Sequence, residues 1–223
     1  MRVALVDYRA GNLTSVRKAL GACGADVFMP RDPSEIAAAA ALVVPGVGHF
    51  EATGTLDAGW RGAIRDAIDR GLAVLGICLG LQWLFEGSDE APGLPGLGVL
   101  EGHCTLLGGG PPAAPQGSGD GDAPGPAIKV PHVGWNSLEI THDSPILAGV
   151  RAGAQAYFTH SYAAPVTPAT VATTTHGGTF ASAVARGRVF GVQFHPEKSG
   201  PVGLTLLHNF LQQAAGGRSG TRP

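Results

Sequence analysis

Cys78 stands between Gly76 and Gly80 within the apolar run at 72–85, LAVLGICLGLQWLF. A thiol framed by glycines two residues to either side is the sulfur counterpart of Gly-x-Ser-x-Gly, in which a sharp strand-to-helix turn lifts a nucleophile clear of a sheet. Residues 73–77 read as a buried strand and the chain resumes as a helix from about Leu79, so Cys78 falls at the corner. There the helix amides favour the thiolate, the form that attacks a carbonyl carbon. The same run also suits an inert packed cysteine, because free cysteine is among the most buried residue types. The local pattern leaves both readings open.

Two other stretches carry groups that such a nucleophile needs. His195-Pro196-Glu197 lies in GVQFHPEKS. Pro196 biases His195 towards extended backbone, where residues two apart project the same way, so an imidazole and a carboxylate can act together. The imidazole would exchange protons with the thiol and the leaving group, while the carboxylate would hold its tautomer and favour its charged form. An isolated His-x-Glu is more often a surface turn. Pro45-Gly46-Val47-Gly48 follows the apolar stretch at 41–44. Gly46 and Gly48 let the backbone come close to a ligand or flip a peptide, which an oxyanion hole can use; an ordinary tight turn fits the same residues.

These groups need a scaffold, and the first half of the chain supplies its pattern. Strands at 3–6, 41–44 and 73–77 alternate with helices marked by Leu13, Val16 and Leu20, by Ile64 and Ile68, and by the segment after Cys78. That order predicts an α/β fold with a doubly wound, mostly parallel sheet and helices on both faces. Asn12 is a suitable N-cap for the first helix, and Asp32-Pro33-Ser34-Glu35 reads as a capping box opening a short helix. Strand-like segments at 99–106, 156–160, 170–174, 181–185 and 189–194, with order resuming at 128–136, add antiparallel strands to the C-terminal half. Leu204, Leu207 and Phe210 or Leu211 mark a final helix. The stretch at 108–126, GGGPPAAPQGSGDGDAPGP, holds almost nothing able to fill a core and is expected to be a disordered insert, with a flexible tail at 216–223. The expectation is one domain over residues 1–215.

Composition narrows the partners. The 223 residues carry a net charge of -2 with only 14% charged residues, which argues against a nucleic-acid surface and offers no polybasic membrane patch. The three cysteines, Cys23, Cys78 and Cys104, are odd in number and far apart. They suggest neither a disulfide framework nor a metal site, and they fit a reducing cytoplasm. The apolar runs are too short to span a bilayer, and the first residues too short for a signal peptide.

Taken in order and at these separations, PGVG after an early strand, GICLG followed by Gln82, and FHPEKS near the C-terminus resemble the class I, triad-type glutamine amidotransferases. DYRAGNLTSV at the start, VPHVGWN at 130–136 and YFTHSY at 157–162 narrow the resemblance to the amidotransferase subunits of imidazole glycerol phosphate synthase. It runs from residue 1 to about residue 212. Arg9 and Ala10 depart from it, standing where the family usually has Gly-Met, as do Trp83 in place of an aliphatic residue and the long insert.

The resemblance implies hydrolysis of L-glutamine to glutamate and ammonia, with no metal or cofactor. Cys78 would be the nucleophile, His195 the proton donor and base, and Glu197 its orienting carboxylate. The oxyanion would rest on the amide of Leu79 and one from the 45–48 loop, near Val47, with Gly46 and Gly48 beside the substrate. Gln82, Glu90, Ser161 and Tyr162 would hold the glutamine backbone, Glu90 facing its ammonium. The implied partner is a (β/α)8-barrel cyclase subunit that uses the ammonia to form imidazole glycerol phosphate and AICAR. Asn12, Tyr157 and Lys198 are the candidate contact residues. Two alternatives stand beside this reading: another class I amidotransferase, such as one serving anthranilate or pyridoxal phosphate synthesis, or an inactive regulatory module. The first should lack VPHVGWN and YFTHSY, and the second usually loses the cysteine or the histidine.

Overall fold

The computed structural model describes residues 1–108 and 128–216. The expected insert and tail therefore lie, apart from Gly108 and Gly216, outside the described residues. The chain opens with β1 (Arg2–Leu5), α1 (Leu13–Ala22), β2 (Asp26–Phe28), β3 (Ala41–Val44), α2 (Ala58–Asp69), β4 (Ala73–Ile77) and α3 (Leu79–Leu84). There follow β5 (Gly87–Ser88), β6 (His103–Leu106), β7 (His132–Ile140), β8 (Ala154–His160), β9 (Tyr162–Ala163), β10 (Thr170–Thr175), β11 (Thr179–Arg186), β12 (Val189–Val192) and α4 (Gly200–Gly216).

The main sheet has nine strands in the order β2-β1-β3-β4-β12-β11-β10-β7-β8. From β2 to β12 the strands run parallel, and from β12 to β8 each pairs antiparallel with its neighbour. A small sheet, β5-β6-β9, sits apart from it. Side-chain alternation along the parallel strands explains why both faces are covered. Val3, Leu5, Val43, Leu75 and Ile77 pack with Val16 and Leu20 of α1 and with Leu206, Leu207 and Phe210 of α4. Their neighbours Ala4, Leu42, Val44 and Val74 pack on the other face with Ile64 of α2 and Leu81 of α3. Full burial of each such Leu, Ile or Val contributes about 1.5–3 kcal/mol relative to exposure.

The caps follow from residue type. Asn12 accepts from the Ser15 amide at 3.3 Å, and Asp32 accepts from the Ser34 amide at 2.8 Å. The helix expected after Asp32 is a 3-10 turn over Pro33–Ala38. Glu35 reaches back to the Arg31 amide at 3.2 Å rather than to that of Asp32, so the box is displaced by one residue. The sheet also holds an edge strand that the pattern does not reveal, β2, whose three residues are exposed or only half-buried. In the segment expected as a strand from Val99, only His103–Leu106 is extended in a ladder. Val99 and Leu100 instead donate to the Leu84 carbonyl, both at 3.0 Å, which satisfies the C-terminal end of α3.

Candidate active site

β4 delivers Cys78 at the C-terminal edge of the sheet, the side on which open α/β sheets bind ligands. The cysteine has φ 53° and ψ -106°, a strained backbone for a residue with a Cβ. Its amide is held by the Val192 carbonyl at 2.8 Å, which ties the corner to β12. The flanking glycines are required by contact. A Cβ on Gly76 would lie 2.7 Å from the Gly80 carbonyl oxygen, and one on Gly80 would collide with the Val44 carbonyl. β4 and α3 can therefore close the corner only without those two side chains.

His195 follows β12 and is buried with Glu197; their side chains are each 2% exposed. The imidazole Nδ1 and Glu197 Oε1 are 2.9 Å apart. The reach is made differently from the strand spacing read in the sequence. His195 is extended at φ -98°, but Pro196–Lys198 forms a 3-10 turn that brings the carboxylate round to the ring. The turn is anchored by Ser199, whose hydroxyl donates to the His195 carbonyl at 2.7 Å and accepts from the Tyr157 amide at 3.0 Å. Burial alone would lower the His195 pKa, but the facing Cys78 and the Glu197 carboxylate outweigh it and raise it to about 10. His195 Nε2 and Glu197 Oε2 are buried with no hydrogen bond among the described residues.

A cavity of about 250 Å³ opens over the sulfur, lined by Gly48, Cys78, Leu79, Gln82, Glu90, Pro131, Thr159, His160, Ser161 and Tyr162. Gln82 lies one turn beyond Cys78, where positions i and i+4 share a helix face. Its Nε2 donates to the Tyr162 carbonyl at 2.8 Å and to Gln193 Oε1 at 3.2 Å. Glu90 Oε2 accepts from the Phe50 amide at 2.9 Å, which fixes the carboxylate at the cavity wall. Gln82, Glu90, Ser161 and Tyr162 are therefore gathered around the thiol, as is Gly48.

Gly46 and Val47 are not among the lining residues. The Leu79 amide donates to the Gly46 carbonyl at 3.3 Å. That amide cannot serve an oxyanion while this bond persists. Tyr8 presses its hydroxyl against Gly46, where it is buried without a hydrogen-bond partner among the described residues. In the same loop Arg9 has φ 64°, a left-handed conformation that suits the glycine of the family pattern, here supported by a bond from its amide to Asp7 Oδ1 at 2.9 Å.

The outer surface near the 3-10 turn carries a ladder of side chains. Lys198 Nζ lies 5.6 Å from the Tyr157 ring centroid, and the Trp135 ring stands edge-on to Tyr157 at 6.0 Å. Val133 and Trp135 are each 56% exposed. Asn12 acts as the cap of α1. Sequence reasoning did not single out Trp135, nor Gln193, whose Nε2 is 3.6 Å from Cys78 Sγ. Gln193 stands two residues before His195, so the spacing applied forward to Glu197 would have found it applied backward. Among the described residues no group of three or more His, Cys, Asp or Glu side chains is arranged to hold a metal ion, and no helix is long and apolar enough to cross a membrane.

Residues 4–214 match the family model of class-I glutamine amidotransferases. The chain is 45% identical over 219 residues to the imidazole glycerol phosphate synthase subunit HisH of Deinococcus radiodurans, covering 96% of this chain and 94% of that one. It is 44% identical over 214 residues to the HisH subunit of Thermococcus kodakarensis, covering 93% and 98%. Among solved structures, a glutamine amidotransferase crystal structure superposes with a TM-score of 0.69 at 21% identity, covering 95% of this chain and 98% of that one. PurLQS from Thermotoga maritima does so with 0.70 at 17%, covering 95% and 97%. The structural matches speak for the fold and the sequence matches for descent: the chain belongs to the class-I glutamine amidotransferase family.

Proposed function

We propose that this chain is the glutaminase subunit of imidazole glycerol phosphate synthase, acting through Cys78, His195 and Glu197. The observation that carries this reading is the buried His195–Glu197 pair at 2.9 Å beside the thiol of Cys78, which stands at the strained elbow and itself lines a cavity with Gln82 and Glu90 on its walls. Glutamine would enter with its ammonium towards Glu90 and its carboxamide over Cys78. The thiolate adds to the carboxamide carbon and the charge moves to the oxygen. The protonated His195 then donates to the departing ammonia, leaving a glutamyl thioester. The neutral imidazole takes a proton from water, which attacks the thioester and releases glutamate. Glu197 holds the ring in orientation and stabilises its charge in the first half of the cycle.

Ammonia is useful only if it reaches an acceptor without escaping, so the reading includes a second subunit, a (β/α)8-barrel cyclase docked over Trp135, Tyr157 and Lys198. The bond from the Leu79 amide to the Gly46 carbonyl supports a latched resting state. Docking would turn the 46–47 peptide, free the Leu79 amide and aim a second amide, that of Val47, at the oxyanion. Glutamate release, measured for the chain alone and with the barrel subunit and its nucleotide ligand, tests this. The rate should rise when both are added, and a rate that stays at the basal level contradicts the latched state.

A further inference from the structure

The buried histidines His132 and His160 are not used by the chemistry above. Strand register pairs them directly, His132 opening β7 and His160 closing β8. His160 Nδ1 is 2.9 Å from the Tyr162 carbonyl oxygen. A carbonyl only accepts, so the proton sits on Nδ1 and Nε2 is left as an acceptor. That acceptor is 3.1 Å from His132 Nδ1, which must therefore carry the next proton. His132 Nε2 then accepts from Asn136 Nδ2 at 3.2 Å. The amide of Asn136 is itself oriented, because Nδ2 also donates to the Thr175 carbonyl at 3.1 Å and Oδ1 accepts from the Ser137 amide at 2.8 Å. Every donor and acceptor in the chain is thereby determined.

The chain closes only if both rings are neutral. An extra proton on His160 would set its Nε2–H against His132 Nδ1–H, and one on His132 would set its Nε2–H against the Asn136 amide. The surroundings agree. Burial and the neighbouring His176, stacked at 4.1 Å, lower the His132 pKa to about 4. Burial lowers that of His160 to about 3; the Tyr162 carbonyl opposes this, and His132, His195 and His176 add to it.

The inner end of the chain is what gives it a function. The Tyr162 carbonyl accepts from both His160 and Gln82 Nε2, and Gln82, His160, Ser161 and Tyr162 all line the cavity over Cys78. Resting on the glutamine reading of that cavity, we propose that Asn136, His132 and His160 are positioning residues. As neutral Nδ1–H tautomers they fix the Tyr162 carbonyl and, through it, the Gln82 side chain in the orientation that receives glutamine. They contribute to substrate affinity and not to the bond-making steps.

The test uses the full chain carrying Cys78→Ala, with glutamine affinity read by calorimetry. His160→Leu in that background should weaken binding about tenfold, the worth of one lost neutral hydrogen bond at the upper end of the usual range. His160→Asn, which can keep an N–H where Nδ1 stood, should recover most of that loss. With Cys78 intact and the barrel subunit present, His160→Leu should raise KM for glutamine while kcat changes less than about twofold, the pattern of lost ground-state binding. Nitrogen-15 spectra of the imidazoles should report Nδ1–H neutral rings for His132 and His160 at pH 7. Equal affinity in His160→Leu, a loss confined to kcat, or an Nε2–H or charged ring at either position overturns the proposal. Failure of the Cys78→Ala parent to bind glutamine, with the tautomers as stated, overturns the glutamine reading instead, and with it the ligand assigned to the chain.

Discussion

The Leu79 amide and the Gly46 carbonyl are joined at 3.3 Å, so the amide that the proposed mechanism assigns to the oxyanion is engaged by the loop that would supply its companion. The two residues come from different strand ends, β4 and β3, and meet only because Gly80 lets α3 start directly against Val44. In the proposed mechanism the side chains are therefore in place while a backbone donor is still engaged.

A resting state without its oxyanion donors should be slow. Removing one such donor typically costs ~10²–10³ in kcat. Glutaminase kcat is therefore expected to rise by about that factor when the barrel subunit and its nucleotide are bound, as measured by steady-state glutamate release. An increase under about tenfold would mean that the latch is not what limits the isolated chain.

The elbow depends on Gly80. Its substitution by alanine sets a methyl group against the Val44 backbone, which cannot move aside without disturbing β3. Gly80→Ala is expected to lose about 3 kcal/mol of stability in denaturant unfolding, at the upper end of overpacking costs. Gly62→Ala, in the exposed part of α2 with nothing near its Cβ, should instead be neutral or stabilising.

The His195 pKa, raised from 6.5 to about 10, has a consequence for stability. Between these values the folded chain holds a proton that the unfolded chain has lost. The contribution is full below about pH 6.5 and disappears as pH rises through about 10. Glu197→Gln removes one cause of the rise. Unfolding free energies of the two proteins should differ most near pH 6 and converge near pH 10; a difference of the same size at both pH values would contradict the pairing.

The exposed ladder gives a prediction about assembly. Trp135→Asp puts a charge at the exposed end of this ladder, in place of an aromatic side chain of the kind that anchors interfaces, where a lost anchor costs about 2 kcal/mol or more. Binding to the barrel subunit is expected to weaken at least ~30-fold by calorimetry. Glutamine affinity of the Cys78→Ala chain should not follow it.

Much of this was legible in the residues, for identifiable reasons. The corner at Cys78 was readable because Gly76 and Gly80 are spaced as a strand-to-helix nucleophile turn needs them, and β3 and β4 are apolar along their whole length. β2 escaped notice because three half-exposed residues carry no periodicity. The link between His195 and Glu197 was expected on strand spacing, whereas a 3-10 turn makes it; Pro196 is compatible with both. His132 and His160 are 28 residues apart, and nothing local connects them. Their contact exists only once β7 and β8 are paired in register. Gln193 was within reach of the spacing rule, and Trp135 was not, since its exposure follows from which face of β7 meets the core.

In the proposed mechanism Cys78 attacks glutamine and the rest of the chain serves this step. Cys78→Ala, assayed in complex with the barrel subunit, tests it most directly. Glutamine-dependent formation of imidazole glycerol phosphate should fall at least ~10⁴-fold, while turnover on added ammonium salts persists at the wild-type rate. Retention of glutamine-dependent turnover, or loss of the ammonium-dependent reaction in a folded complex, would contradict the account.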